Sequence, residues 1–347
     1  YKEVVVSESN ISLAALKGSG KLVKTCDSAS LIDLGDGVFC CEFHTKMNAL
    51  NAEIIEFMNE AMDYVDENGV GLVIGNQAGG MPGAFSAGAD LVQVGTAAKT
   101  DRLDEVDQMI KALHAVIQKE TFSPFPVVAA PYGLALGGGC EVCLAADRIV
   151  AHAELYMGLV EIGVGLLPGG GGCKNLWKKA VNSIPSHVKD VDLSKFFIPT
   201  FMSIATAKVS MSAAQARANG FLGPQDRIVF NRDLLIGEAK KEVLRMADAG
   251  YAPPAKKKLK VLGAAAEGMV NGEIFNMQSA GYVSEYDAFL ARRIATVIGG
   301  GDVRTNSEID EEVILNLERE AFIDFLKQEK TLARIEHMLK TGKPLRN

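Results

Sequence analysis

Two glutamates in the middle of the chain, Glu141 and Glu161, are the residues whose types and spacing most directly suggest chemistry. Glu141 closes the glycine-rich run GGGCE at 137–141, and Glu161 closes the run MGLVE at 157–161. A pair of carboxylates at one site can act as general base and general acid. Such a pair would supply what is needed to add water across a carbon–carbon double bond. Taken singly, Glu141 would instead complement the dipole of a helix start, and Glu161 would be an ordinary loop carboxylate.

Two glycine-rich loops could present backbone N–H groups to a ligand. They are FSAGADL at 85–91 and GLALGGG at 133–139, and each follows a predicted strand and leads into a predicted helix. N–H groups at a helix start have no partner within the helix, so they can bind an anion or a carbonyl oxygen. Two donors on one carbonyl oxygen would form an oxyanion hole, worth about 2.7–4 kcal/mol per donor. The alternative is that both loops are simply tight turns, since they match neither the dinucleotide nor the P-loop fingerprint.

Composition narrows the class of protein. With 347 residues, of which 48% are apolar, the chain can bury a large core. A net charge of −7 argues against general nucleic-acid binding. The sequence contains neither a membrane-spanning apolar run nor a secretory signal, so we expect a soluble, cytoplasmic protein. Cys140 and Cys143 have redox-pair spacing but lack a second pair for zinc, and we interpret them as small buried side chains.

Strand and helix patterns alternate along much of the chain. A hairpin is predicted around Gly35-Asp36-Gly37, a helix capped by Asn51 follows, and buried strands are predicted at 71–75, 127–130 and 148–151. Alternating β and α units imply an α/β protein with a largely parallel sheet covered by helices. After about Ser210 the pattern is helical, apart from a strand at 227–229. One late helix is predicted to bury a face lined by Ile309, Val313, Ile314, Leu317, Ala321, Phe322 and Phe325.

Taken together, the motifs resemble those of the crotonase superfamily, the enoyl-CoA hydratases and isomerases. The resemblance is carried by NALN at 48–51, FSAGADL at 85–91, GLALGGGCE at 133–141, MGLVE at 157–161 and PGGGG at 168–172. It implies an α/β, crotonase-like fold, in which ββα repeats form a spiral of mostly parallel sheet covered by helices. It also implies three regions: a linker or tail of an upstream domain at 1–28, a crotonase core at 29–230, and an extended C-terminal helical region at 231–347.

The last part of the chain resembles large 3-hydroxyacyl-CoA dehydrogenases that carry a hydratase region after their dehydrogenase half. Since the chain has no Rossmann fingerprint, the resemblance implies that it is the hydratase half alone. The partners implied are an acyl-CoA substrate, an upstream dehydrogenase domain on the same polypeptide, and further copies of the chain in a homo-oligomer.

The resemblance also assigns roles to individual residues. The backbone N–H groups of Ala89 and Gly138 would hold the thioester oxygen, and Glu141 and Glu161 would be the catalytic carboxylates. The positions expected to contact substrate or coenzyme A are Lys46, Ala49, Ala87, Asp90 and Leu91. The implied reaction is hydration of trans-2-enoyl-CoA to 3-hydroxyacyl-CoA in fatty-acid β-oxidation. It needs no metal or redox cofactor, because coenzyme A is part of the substrate. The alternatives are a Δ3,Δ2-enoyl-CoA isomerase and a non-catalytic acyl-CoA-binding or assembly module.

The segment 180–207 departs from the family pattern because it is longer than usual. We expect its apolar residues either to line a long acyl tunnel or to pack against the added C-terminal helices.

Overall fold

The computed structural model describes residues 7, 9–77, 83–185, 187–188 and 191–347. Parts of the predicted linker (1–6 and 8) and of the long segment (186, 189 and 190) therefore lie outside the described residues. The chain divides into two units. Unit 1 comprises Tyr1–Gly88, Ala115–Met157 and Ser210–Ala255, and unit 2 comprises Ala89–His114, Gly158–Val209 and Lys256–Asn347.

Strands and helices alternate through most of the chain, as the sequence pattern predicts. The strands are β1 (Leu22–Thr25), β2 (Ala29–Asp33), β3 (Val38–Phe43), β4 (Gly71–Gly75), β5 (Ala84–Ser86), β6 (Val127–Ala130), β7 (Gly133–Leu136), β8 (Arg148–His152), β9 (Leu155–Gly158), β10 (Arg227–Val229), β11 (Leu259–Lys260) and β12 (Glu308–Ile309). The helices are α1 (Leu13–Gly18), α2 (Ala52–Asn68), α3 (Leu91–Lys99), α4 (Leu103–Thr121), α5 (Gly138–Ala145), α6 (Gly172–Asn182), α7 (Ser194–Ala205), α8 (Ala213–Ala218), α9 (Leu235–Asp248), α10 (Ala265–Ser279), α11 (Glu285–Ile298), α12 (Glu311–Leu326) and α13 (Glu329–Thr341). Short 3-10 turns span Lys46–Asn48, Glu161–Val164 and Arg232–Leu234.

Unit 1 is built on a seven-stranded sheet in the order β1-β2-β3-β4-β6-β8-β10. The first three strands pair antiparallel, and every pairing from β3 to β10 is parallel. The hairpin prediction is confirmed, because β2 and β3 pair with Leu31 opposite Cys41 and turn through Asp36 at φ 57°. Strands β4 and β6 are buried along their whole length, as expected of central parallel strands. A second sheet has the order β5-β7-β9.

Helix α9 covers one face of the large sheet. It packs against β4, β6 and β8, and a side chain at Gly71 would come within 2.3 Å of the Val243 Cγ1 on α9. The predicted core ended at residue 230 and left α9 in the C-terminal region. The structure instead makes α9 part of the sheet's cover, because Ile236, Ala239 and Val243 on its apolar face bury fully there.

The N-terminal segment also joins unit 1. Leu13 of α1 is fully buried in the same cluster as Ile32 and Ile236, and β1 extends the sheet beside β2. A linker would leave such side chains exposed, so the structure places part of the predicted linker at 1–28 inside the fold.

Helix α2 begins as predicted. The Asn51 Oδ1 accepts a hydrogen bond from the Ile54 N–H at 2.9 Å, which satisfies one of the unpaired N–H groups of the first turn. The predicted apolar face, from Ile54 to Val65, is buried.

Unit 2 is mainly helical, with the short β11–β12 pair. The predicted late helix needs correction at its start. Ile309 lies in β12, Asp310 is the N-cap, and the helix begins only at Glu311. Within the helix, Val313 lies outside the buried face and is 38% exposed. The buried face of α12 uses Ile314 and Phe325 as predicted.

A buried polar cluster holds α12 against the glycine-rich loop before α6. The carboxylate of Glu318, which is fully buried, accepts hydrogen bonds from the N–H groups of Gly171 (2.9 Å) and Lys174 (2.7 Å) at the start of α6. A carboxylate at this position complements the positive end of the helix dipole. His114 contributes a hydrogen bond of 2.7 Å between its Nε2 and the Gly169 carbonyl; as the neutral tautomer, Nε2–H donates.

Burial lowers the pKa of His114 to about 4, and the positive charges of Lys174 and Arg319 act in the same direction. The folded protein therefore resists protonation of this imidazole, whereas the unfolded chain takes up the proton below about pH 6.5. The free energy of unfolding should fall as the pH drops from about 6.5 towards 4. For this group alone the loss is about 2 kcal/mol at pH 5.

The test compares urea unfolding of wild type and His114→Gln at pH 7 and pH 5, since the glutamine amide can still donate to the Gly169 carbonyl. We expect the loss of stability between the two pH values to be about 2 kcal/mol smaller in the variant. Replacement of the exposed His44 by Gln is the control and should leave the pH dependence unchanged. Equal pH dependence in wild type and His114→Gln contradicts the assignment.

Candidate active site

Three glycines shape the backbone around the start of α5. Gly137, the N-cap, has φ 52° and ψ −126°. Residues with a Cβ rarely adopt this backbone conformation. A Cβ on Gly139 would lie 2.6 Å from both the Cβ and the carbonyl oxygen of Ser86 on β5. Gly88 has φ 100°. A Cβ on Gly88 would lie 3.0 Å from the Leu136 carbonyl oxygen and 3.4 Å from the Gly138 nitrogen. The start of α5 therefore lies directly against the backbone that follows β5.

Helix α5 places both of its predicted functional residues in its first turn. Gly138 is its first residue, so the helix itself offers no acceptor for the Gly138 N–H. Glu141 is only 2% exposed, and its own N–H donates to the Gly137 carbonyl at 3.0 Å. Cys140 and Cys143 are fully buried in the same helix, which confirms their interpretation as small buried side chains.

The NALN segment is anchored to the same region of unit 1. Asn48 adopts a left-handed conformation with φ 52°, and its Nδ2 donates to the Ala84 carbonyl of β5 at 2.8 Å. The Leu50 N–H donates to the Gly88 carbonyl at 2.8 Å. These bonds tie the turn before α2 to the loop that carries Gly88.

The structure brings three of the predicted binding residues close to one another. The Ala87 N–H donates to the carbonyl of Met47, the residue between Lys46 and Asn48, at 3.1 Å. Ala49 is half-buried on the same turn, and Lys46 is exposed at its start. Lys46, Ala49 and Ala87 thus share one surface region of unit 1, although their role in binding stays a prediction.

Asn76 supports this region and was missed from the sequence. It is 1% exposed. Its Oδ1 accepts from the Phe43 N–H, and its Nδ2 donates to the Phe85 carbonyl, both at 2.6 Å. The amide therefore bridges the end of β3 to β5. The only sign of this role in the sequence is that a polar residue directly follows the predicted apolar strand at 71–75.

Unit 2 begins at Ala89, the residue after Gly88, and holds the remaining predicted residues. Ala89 is exposed, Asp90 is the N-cap of α3, and Leu91 is the first residue of that helix. The Asp90 Oδ1 accepts from the Val92 N–H at 2.9 Å. The Asp90 side chain thus has a structural role, and contact of these three residues with a ligand stays a prediction.

Glu161 opens a 3-10 turn that ends at Gly165, where the backbone is left-handed with φ 78°. The Glu161 carbonyl accepts from the Leu166 N–H at 3.0 Å. Both side-chain oxygens of Glu161 are withdrawn from solvent. The turn therefore presents a buried carboxylate on a backbone closed by its own hydrogen bonds.

The C-terminal helix α13 clamps this turn. Thr331, which is fully buried, donates from Oγ1 to the Gly165 carbonyl at 2.7 Å and lies 2.6 Å from the Tyr286 hydroxyl. Arg334 reaches the Ile162 carbonyl at 3.5 Å and forms an ion pair with Asp287 at 2.8 Å. These contacts could not be predicted from the sequence, because nothing in the spacing of the residues links 161–165 to 331–334.

Each unit therefore holds one of the two predicted catalytic glutamates and one of the two predicted N–H donors. Gly138 and Glu141 lie in unit 1, and Ala89 and Glu161 lie in unit 2. A buried carboxylate on a fixed backbone is suited to proton transfer. Among the described residues, no group of three or more histidine, cysteine, aspartate or glutamate side chains has the arrangement of a metal site.

Comparison with known proteins finds a family match for part of the chain. Residues 35–188 match the family described as enoyl-CoA hydratase/isomerase. This segment, less than half of the chain, matches a crotonase-family domain. It contains the NALN segment, both glycine-rich loops and both glutamates, so the resemblance seen in the motifs is confirmed.

The crotonase fold is also seen in solved structures. An enoyl-CoA hydratase from Bacillus halodurans superimposes with a TM-score of 0.60 at 17% identity, covering 89% of this chain and 99% of that one. An enoyl-CoA hydratase from Mycobacterium avium subsp. paratuberculosis K-10 gives a TM-score of 0.56 at 19% identity, covering 90% of this chain and all of that one. At such identities the likeness establishes the fold alone, and it confirms the predicted fold class.

The curated relatives are longer proteins. The chain is 42% identical over its whole length to a probable 3-hydroxyacyl-CoA dehydrogenase of Bacillus subtilis (strain 168), of which it covers 43%. It is 25% identical over 92% of its length to a putative fatty acid oxidation complex trifunctional enzyme of Rickettsia felis, of which it covers 40%. The chain thus spans less than half the length of these relatives. Within the described part of the chain, the helices are too short or too polar to cross a membrane.

The close approach at Gly139 yields a stability prediction. In Gly139→Ala the new methyl group meets the Ser86 backbone oxygen, which cannot rotate away, so the free energy of unfolding should fall by about 1–3 kcal/mol. Gly268→Ala, in the interior of α10 with open space around it, is the matched control. It should stabilise by about 0.5–1 kcal/mol. Guanidinium unfolding measures both, and a Gly139→Ala protein as stable as wild type contradicts the packing described.

Proposed function

We propose that the crotonase domain hydrates trans-2-enoyl-CoA thioesters to 3-hydroxyacyl-CoA. One observation supports this most strongly. Both glutamates of the hydratase pattern are present, and each is buried on a backbone fixed by contacts within its own unit. A carboxylate retained only for solubility would lie at the surface.

The proposed chemistry follows the movement of charge. Attack of water on the β-carbon pushes electron density onto the thioester oxygen, and the transition state is enolate-like. The N–H groups of Gly138 and Ala89 would stabilise that oxygen, Glu141 would accept the proton of the attacking water, and Glu161 would deliver a proton to the α-carbon. Only interactions that strengthen in the transition state raise kcat, and both N–H groups would act there.

Substrate binding is proposed for the NALN turn in unit 1 and, in unit 2, for the start of α3. Lys46 is exposed at the turn and would meet a phosphate of coenzyme A by a charge-assisted contact. Ala49 and Ala87 have little bulk, and Leu91 offers apolar surface to the ligand. Coenzyme A would arrive as part of the substrate, and the reaction as written consumes no further cofactor.

The long relatives suggest how the product is used. Hydration yields a 3-hydroxyacyl thioester, which is the substrate class of the dehydrogenase activity named in the Bacillus subtilis relative. We propose that the native polypeptide joins the two activities, so that a dehydrogenase domain precedes this chain.

The test replaces each glutamate by its neutral isostere. Glu141→Gln and Glu161→Gln should each lower kcat for crotonyl-CoA hydration by about 10²–10⁴-fold, since each removes one proton-transfer group. The assay is loss of absorbance of the enoyl thioester. Glu312→Gln, which alters an exposed carboxylate on α12, is the control and should retain full rate.

Circular dichroism and thermal unfolding show whether the variants stay folded. Full rate in both folded variants rules out the proposed hydration. If the wild-type protein moves a Δ3 double bond to Δ2 and Glu141→Gln still does so, the activity is that of the isomerase, which needs only one carboxylate. Tight acyl-CoA binding without turnover in wild type would instead indicate a non-catalytic binding module.

A further inference from the structure

Unit 2 contains a cavity of about 290 Å³ that the proposed chemistry does not use. One wall is formed by Ile162 and Gly163, the two residues that follow Glu161. A second wall is the C-terminal end of α7, with Phe201, Met202 and Ala205. The second wall belongs to the segment 180–207, whose unusual length was noted in the sequence.

The cavity is partly open to solvent, so ligand pockets are the appropriate comparison for its volume. The volume here is close to the lower end of small-molecule pockets, about 300 Å³. It suits a hydrocarbon chain and is too small for a whole coenzyme A thioester.

The lining is chemically suited to an uncharged, flexible ligand. Ile274 and Met277 of α10 complete the apolar surface opposite α7. Met202 and Met277 have unbranched, polarisable side chains that adapt to ligands of different length. This composition favours methylene groups over a charged or strongly polar ligand.

The charged groups at the cavity are already engaged. Arg334 forms its ion pair with Asp287 at 2.8 Å, and its guanidinium lies 5.0 Å from the centre of the Tyr286 ring. Arg346 is exposed and donates to the Tyr282 carbonyl at 3.2 Å. Glu273 is exposed at the rim. The cavity therefore offers no unpaired buried charge for an anionic or cationic head group among the residues described.

The position of the cavity connects it to the reaction. Ile162 and Gly163 line the cavity and directly follow Glu161 in the chain. Because consecutive Cα atoms are about 3.8 Å apart, the cavity wall begins within about two residues of Glu161. We propose that the cavity receives the distal hydrocarbon of a long-chain enoyl thioester whose α-carbon lies at Glu161. This inference rests on the proposed function. It makes the C-terminal end of α7 a determinant of chain-length specificity.

The test fills the cavity. Ala205→Phe adds a ring at the end of α7, and Lys195→Phe adds the same ring to the exposed start of the same helix, away from the lining. The measurement is kcat/KM for enoyl-CoA substrates with four, ten and sixteen carbons in the whole protein. We expect Ala205→Phe to lower the sixteen-carbon to four-carbon ratio at least tenfold, because an apolar pocket discriminates by about 10–200-fold per methylene.

Lys195→Phe should keep the wild-type ratio. An unchanged ratio in folded Ala205→Phe overturns the proposal. If Ala205→Phe does not fold, Met277→Trp on the opposite wall takes its place, and the same fall in the ratio is expected.

A binding measurement separates failure of this inference from failure of the proposed function. If wild type hydrates no enoyl thioester of any length, the proposed function fails, and the cavity is judged by cis-parinaric acid fluorescence. Binding of that fatty acid in wild type and Lys195→Phe, with loss in Ala205→Phe, supports a hydrocarbon site. Absence of binding in wild type, or equal binding in all three, overturns it.

Discussion

One steric constraint underlies the proposed site, namely the absence of side chains where the start of α5 meets the backbone after β5. A Cβ on Gly139 would lie only 2.6 Å from Ser86, and a Cβ on Gly88 only 3.0 Å from the Leu136 carbonyl oxygen. Backbone can approach backbone so closely only through glycine. This contact sets the position of the Gly138 N–H and of Glu141, one helical turn further on. The buried network of Asn76 and Asn48 then fixes β5 itself.

The C-terminal helices give Glu161 an equivalent support in unit 2. Its turn is too short to be rigid alone, and Thr331 and Arg334 of α13 bind its carbonyl groups. Glu318 of α12 likewise caps α6, which follows the glycine-rich loop. The extended C-terminal region thus acts on the proposed chemistry through backbone positioning. Arg334 also lines the cavity beside the Glu161 turn, together with residues of α7, α10 and α11, so the C-terminal region would serve both backbone positioning and chain-length specificity.

Local patterns predicted much of the fold. The β2–β3 hairpin, the Asn51 cap and the buried strands follow from turn chemistry and from hydrophobic periodicity, which act over a few residues. The motifs also led to both glutamates, whose roles stay proposals. What could not be predicted depends on distant contacts. The burial of Leu13, the place of α9 on the sheet and the clamp of Thr331 on Gly165 join residues far apart in the chain. The prediction for Val313 was wrong because this residue lies beside the buried face of α12, which runs through Ile314, Glu318 and Phe325.

The central claim is that water adds across the double bond of an enoyl thioester. Proton NMR of crotonyl-CoA incubated with the protein in D₂O tests it most directly. A hydratase should lower both vinyl signals to a constant equilibrium level and form 3-hydroxybutyryl-CoA that carries one deuterium at the α-carbon, because the proton delivered there comes from solvent. Vinyl signals that stay at their initial intensity with folded protein at high concentration, or a product that has gained no oxygen at the β-carbon, would contradict it.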